Sequence, residues 1–382
     1  MRTVILLDRS FARRERELLS RLEIGLADEG LRVLHAVPNA IIETEFVGVY
    51  SSSIGYDDRG FPTTDRARVR ELMETIKDTV ETEPGGSVDV VHSFGQGCER
   101  LAVHLASAVG AAALIEVWQR SSFDAAAEAY WRDPGNVTLL LPDPEMFRSF
   151  TRLHKQVRAE EVDWGVHASG EPTQARLSAL NRSAPSVALL AECADMPRLE
   201  AALAGLAAAV SAGAPGVSDA GPLADLLVFV DADRVRSSRL WRSARRHGLL
   251  DRLSIVPRAE ARREPILHLD ALLVPEPTGR FRSIVLDAMA RGVPVVAAPD
   301  PSISILSDPA IARLVQTPSA AAWSEGVRAA LCEPVEREKI TRSAREFVRS
   351  RRSASAHVAA VIRAYTEAVA RRARGEASSV GG

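Results

Sequence analysis

Short aliphatic and β-branched runs recur along the whole chain, separated by stretches with helical spacing. This alternation limits the fold more than any other feature. The runs are TVILL (3–7), LRVLHAV (31–37), VDVVH (88–92), AAALIEV (111–117) and NVTLLL (136–141). They continue with SVALLAE (186–192), DLLVFVDAD (225–233), LSIVP (253–257), ALLVPEP (271–277) and VPVVAAP (293–299). A strand covered on both faces reads as such a continuous run rather than as alternation. Between the runs, residues 12–30 set Leu18, Leu19, Leu22 and Leu26 on one helical face, with Gly30 where a C-cap falls. Helices are also expected over 66–82, 98–109, 145–154, 197–212, 237–247 and 283–291, the last two closed by Gly248 and Gly292. Residues 47–65 are polar and contain glycine, and they read as a long surface loop. Strands alternating with helices give parallel, doubly wound α/β sheets. At 382 residues the chain has room for two such domains.

Composition narrows the class. A net charge of -2 gives no overall field toward nucleic acid or anionic lipid. Cys98, Cys193 and Cys332 are widely spaced, without metal-type pairing or a disulfide framework, as in a reducing compartment. The opening MRTVILLDRS is a strand and a charged turn, not a secretory leader. The chain is therefore expected to be cytoplasmic, with a peripheral contact at the inner membrane face as an option. The Arg-rich stretch SSRLWRSARRHG (237–248) is either a solvated helix face or a docking patch.

The most specific stretch is LLVPEPTGRFRSIVLDAMARGVPVVAAP (272–299). It reads strand, loop, helix, glycine cap, strand. The loop 278–282 runs from Thr278 into a helix that starts near Ser283, and a helix N-terminus offers unpaired N–H groups to an anion. Arg280 and Arg282 add positive charge for a diphosphate. Asp287, one turn into the helix, is placed to bridge ribose hydroxyls. The sequence contains no G-x-G-x-x-G, no P-loop and no metal-ligand cluster.

This stretch resembles the donor-binding motif of the GT-B glycosyltransferases of the retaining, GT4-like kind, close to P-S-x-x-E-G-F-G-[x]4-E-A-M-A-x-G-x-P-V-V-A. The match to DAMARGVPVVA is close. The runs DVVHSFGQGCERLAVHLASAVGAAALIEVW, ADLLVFVDADRVRSSRLWRSARRHGLLDRLSIV and SASAHVAAVIRAYTEAV also look like family segments, in the family's order. The resemblance implies a GT-B fold of two Rossmann-like domains facing across a crevice. It implies an acceptor-side domain over 1–183, a donor-side domain over 184–352, a closing helix over 353–373 that returns to the first domain, and a flexible tail over 374–382. A nucleotide-diphosphate sugar would be the substrate, with no cofactor, metal or nucleic acid required. The donor-binding residues would be Arg198, Thr278, Arg280, Arg282, Ser283 and Asp287.

The chemistry of the motif is incomplete. Of the family's two glutamates, the second falls on Asp287 and the first on Gly279, which has no side chain. The family's diphosphate-binding Arg and Lys fall on Cys193 and Arg198, and a histidine near the donor sugar falls on Trp118. The loop after the first strand, residues 10–15, lacks the family's glycines. Two readings follow: an active sugar transferase, or a catalytically silent relative that binds nucleotide sugar, serves as a scaffold or partners an active transferase.

Overall fold

In the computed structural model, residues 1–42, 51–58, 66–81, 86–168, 184–211, 223–231, 238–256, 266 and 268–380 are described. The chain forms two compact units, Met1–Trp164 with Ala354–Gly382, and Gly165–Ser353. The division falls at Gly165, earlier than the position after 183 expected from the sequence. Val166 already belongs with the second unit: it bridges Ser353 in parallel and donates its N–H to the Arg352 carbonyl at 2.8 Å.

The first unit is built on seven parallel strands: β1 (Arg2–Leu7), β2 (Arg32–Pro38), β3 (Ser52–Tyr56), β4 (Val90–Phe94), β5 (Ala112–Glu116), β6 (Val137–Leu141) and β7 (Ala159–Glu161). Their order in the sheet is β3-β2-β1-β4-β5-β6-β7, with all pairings parallel. The second unit has six: β8 (Ser186–Leu189), β9 (Leu227–Asp231), β10 (Leu253–Val256), β11 (Ala271–Val274), β12 (Val295–Ala297) and β13 (Arg313–Leu314). Their order is β10-β9-β8-β11-β12-β13, again all parallel. Both sheets are doubly wound α/β layers of the Rossmann kind. In each, the order reverses beside the first strand, between β1 and β4 and between β8 and β11. Ligands of open α/β sheets bind at the carboxyl ends of the strands beside such a reversal.

Three expectations change. The stretch 47–65 is not all loop, because Ser52–Tyr56 pairs with β2 as an edge strand. Its inward side chains, Ile54 and Tyr56, are buried, while serines and a glycine fill the other positions. Residues 47–50 and 59–65 of that stretch lie outside the described residues. The helix expected over 12–30 is two helices, Arg9–Arg14 and Arg16–Asp28, broken at Glu15. The final helix runs Ala354–Val380, through most of the expected tail. Alanine, arginine and glutamate there are strong helix formers. Among the described residues, no helix is long and apolar enough to cross a membrane.

That final helix completes the first unit. Val358, Val361, Tyr365 and Ala368 form its buried stripe. Arg371 Nη1 donates to Thr138 Oγ1 at 2.7 Å, and Arg372 Nη1 to the Ala111 carbonyl at 2.8 Å. Against the helix Arg16–Asp28 the approach is close enough to require glycine, since a Cβ on Gly25 would lie 2.4 Å from Val358 Cγ2. Gly25→Ala gains about 1 kcal/mol of helix propensity but overpacks the contact at a cost of about 1–3 kcal/mol. The variant is expected to be less stable than the parent in urea unfolding. Equal or greater stability would mean that the two helices separate freely.

Candidate functional site

In the second unit, the carboxyl ends of β8, β11 and β12 bring the candidate residues together. After β8 the chain turns through residues 190–195 into the helix Met196–Ser211. Cys193 takes φ 57°, the one positive φ outside glycine among the described residues. The turn aims three backbone N–H groups at a single side chain. Glu276, 2% exposed, accepts from Glu192 N at 2.6 Å, Cys193 N at 3.0 Å and Asp195 N at 2.7 Å. Successive N–H groups converging ahead of a helix form an anion-holding arrangement. Here the anion is the chain's own.

The expected cations lie beside it. Arg280 Nη1 is 3.1 Å from Glu192 Oε1, and Arg282 Nη2 also bonds that oxygen. Arg282 is 4% exposed. Ser283 opens the helix Ser283–Ala290 and is fully buried, and Thr278 is half-buried in the loop before it. Asp287 is 1% exposed, so a ribose reaches it only where its cover opens. Arg198 is turned to a different partner: its Nε lies 3.2 Å from Asp195 Oδ2, and Asp195 accepts the Arg198 N–H at 3.2 Å. Gly279 has φ 64°, a left-handed conformation suited to glycine. Its N–H donates to Asp300 Oδ2 at 2.7 Å, and Asp300 Oδ1 also accepts from Ser302 N at 3.0 Å.

The structure therefore brings Arg280 and Arg282 together on Glu192. Glu192 and Glu276 are not among the residues expected from the sequence. Each is an acid at the end of an apolar run, and that placement was the available signal.

In the first unit, the reversal between β1 and β4 is closed in a similar way. Asp8 accepts from Phe11 N and, at 2.6 Å, from Gln96 N, and burial pushes its carboxyl up to about 6. Gln119 Nε2 donates to Gln96 Oε1 at 3.0 Å. Tyr56 donates its hydroxyl to the Leu7 carbonyl at 2.6 Å and lies 3.5 Å from Cys98 Sγ. Burial pushes the Cys98 thiol well up, which does not suit a nucleophile. Most of the glycine-free loop after β1 is a short helix, Arg9–Arg14. Trp118 is buried, edge-on to Phe11 and stacked with Trp164, as a packing residue.

Beneath this edge lies a fully buried polar chain. His92 Nδ1 is 2.9 Å from the Tyr365 hydroxyl, and Nε2 is 3.3 Å from Glu116 Oε2. Trp164 Nε1 donates to Glu116 Oε1 at 2.6 Å. Burial pushes Glu116 up to about 8 and His92 down to about 3, so both are neutral near pH 7.

Two parallel sheets of this build match the two-domain GT-B fold of solved glycosyltransferases. Sucrose-phosphate synthase from Thermosynechococcus elongatus matches with TM-score 0.69 at 15% identity, covering 97% of this chain and 100% of that one. A glycosyltransferase from Rickettsia africae matches with TM-score 0.68 at 11% identity, covering 96% and 98%. HepE of Anabaena, solved with UDP and glucose, matches with TM-score 0.67 at 12% identity, covering 95% and 99%. At such identities the likeness is one of fold. No family model and no curated protein matches the chain.

The buried acid gives stability a pH dependence of known sign. Glu116 holds its proton more tightly when folded. Its contribution is full below the unfolded value of 4.5 and is lost as pH rises through about 8. His92 acts oppositely, contributing fully above 6.5 and losing that contribution as pH falls through about 3. Asp8 and Glu99, the latter pushed by burial to about 7, share the sign of Glu116. Melting temperature is therefore expected to decline from pH 5 to 8 less steeply in Glu116→Gln than in the parent. Identical slopes would mean that Glu116 titrates alike in both states.

Proposed function

We propose that the chain is a nucleotide-sugar-dependent protein of the glycosyltransferase kind that transfers a sugar from a nucleotide-diphosphate donor to an acceptor. The donor diphosphate is received in the second unit. The observation that carries this reading is the convergence of Arg280 and Arg282 beside the loop amides of residues 192–195. HepE is solved with UDP and with UDP-glucose, and a trehalose-phosphate synthase of the same fold is described as UDP-forming. Those proteins support a nucleoside diphosphate sugar as the donor class. Retaining transfer loads negative charge onto the departing diphosphate, and fixed cations and backbone N–H groups stabilise that charge as it develops.

A second reading, a silent relative, is favoured by Gly279. The family resemblance puts a sugar-binding carboxylate there, and this chain has none. Gly279→Glu would restore the acid but must hold φ 64°, at a strain of about 1–2 kcal/mol.

Thermal shift and calorimetry with UDP and GDP, run beside an assay of nucleotide-sugar turnover, separate the readings. Binding with turnover supports the transferase, and binding without turnover supports the silent relative. Arg280→Ala combined with Arg282→Ala is expected to weaken nucleotide binding by about 1.5–3 kcal/mol, the range for charge-assisted hydrogen bonds. Equal affinity in parent and variant would remove the diphosphate from this loop.

A further inference from the structure

The two arginines and three amides of the second unit are already engaged by side chains of this chain. Glu192 takes both guanidinium groups on one carboxyl oxygen, with Glu192 itself only 7% exposed at its side chain. Glu276 takes the three loop N–H groups through its two oxygens. The two acids are also linked, since the Glu192 N–H is one of the donors to Glu276.

Neither acid is loosely held. Glu276 stands between Pro275 and Pro277. Proline fixes its own φ and keeps the residue before it extended, so the backbone of Glu276 has little freedom to swing. Glu192 is held at its N–H by Glu276 and at its carboxyl by two arginines. An incoming diphosphate would meet two acids where it needs cations and donors, and in a buried setting like-charge repulsion is weakly screened.

We propose that the diphosphate seat is self-inhibited. Glu192 and Glu276 stand in for the anion, and a nucleotide enters only by displacing them. This rests on the reading that the seat receives a diphosphate. The two acids then set, together with the arginines that one of them holds, how tightly the donor binds.

The test uses the full chain with inorganic pyrophosphate and, separately, UDP, against chloride at matched ionic strength. Parent, Glu192→Gln, Glu276→Gln and Glu276→Ala are compared by thermal shift and calorimetry. Glutamine keeps shape and one acceptor while removing the charge, so these variants report even where Glu276→Ala fails to fold. Pyrophosphate is expected to bind Glu192→Gln and Glu276→Gln at least about tenfold more tightly than the parent, the lower end of one charge-assisted hydrogen bond. Glu276→Ala is expected to melt lower than the parent in chloride and to regain the difference in pyrophosphate. Glutamine variants that fold like the parent but bind pyrophosphate no more tightly overturn the proposal. Tight UDP binding that is equal in parent and variants also overturns it, while leaving the nucleotide reading intact. A gain for pyrophosphate with no UDP binding upholds the closed seat and removes the nucleotide.

Discussion

Where a parallel strand feeds a helix, the first turn of that helix carries N–H groups with no acceptor inside the helix. Turns at the carboxyl edge of a sheet carry more. Each must find an acceptor, and in this chain the acceptors are repeatedly its own acids. Asp8 serves Phe11 and Gln96, Asp143 serves Glu145 and Met146, Glu276 serves the turn after β8, and Asp300 serves Gly279 and Ser302. The opposite edge uses the same device at matching positions. Asp89, just before β4, accepts from Arg2 N at 2.7 Å, and Asp270, just before β11, accepts from Ser186 N at 2.9 Å. In both units this acid ties the first strand to the strand across the order reversal, where sequence-distant segments must be held in register.

The same constraint bears on chemistry. Proline apart, backbone N–H groups at a helix start do not depend on residue type, so most sequences that keep the fold keep the donors. What faces them does depend on residue type. A phosphate and a carboxyl group satisfy the same donors, so an acid in the seat preserves the loop while changing what the loop can bind. Fold alone therefore does not fix function. Identities of 11–15% leave the backbone frame matched over nearly the whole chain.

Most strands were legible because their runs are apolar throughout, and both sheets follow from them. β3 was hidden because an edge strand of serine and glycine needs only Ile54 and Tyr56 inward. β7 and β13 are too short to leave a pattern. In the site, Arg280, Arg282 and Ser283 could be read because loop, charge and helix start are adjacent in sequence. Glu276 could not be read the same way, since its three partners precede it by more than eighty residues. Asp287 was legible as a carboxyl on the helix after β11 but not as a buried one. The retrospective signal is general: Asp8, Glu116, Asp143, Glu192, Asp231, Glu276 and Asp300 each fall at or just after the end of a strand.

The order of the chain adds a further constraint. The first unit begins at β1 but is finished by the helix Ala354–Val380, with the second unit lying between them in sequence. That helix supplies Tyr365 to His92, Arg371 to Thr138 and Arg372 to the carbonyl of Ala111, and it covers the face that Gly25 keeps low. Without it, His92 loses its hydroxyl partner in a setting where an unsatisfied polar group costs about 1–3 kcal/mol, and apolar residues of β5 and the helix Arg16–Asp28 lose their cover. The buried chain from Tyr365 through His92 and Glu116 to Trp164 therefore joins the last helix of the first unit to the last residue before the second. The first unit is thereby completed in sequence only after the second, although its sheet is already complete at Glu161.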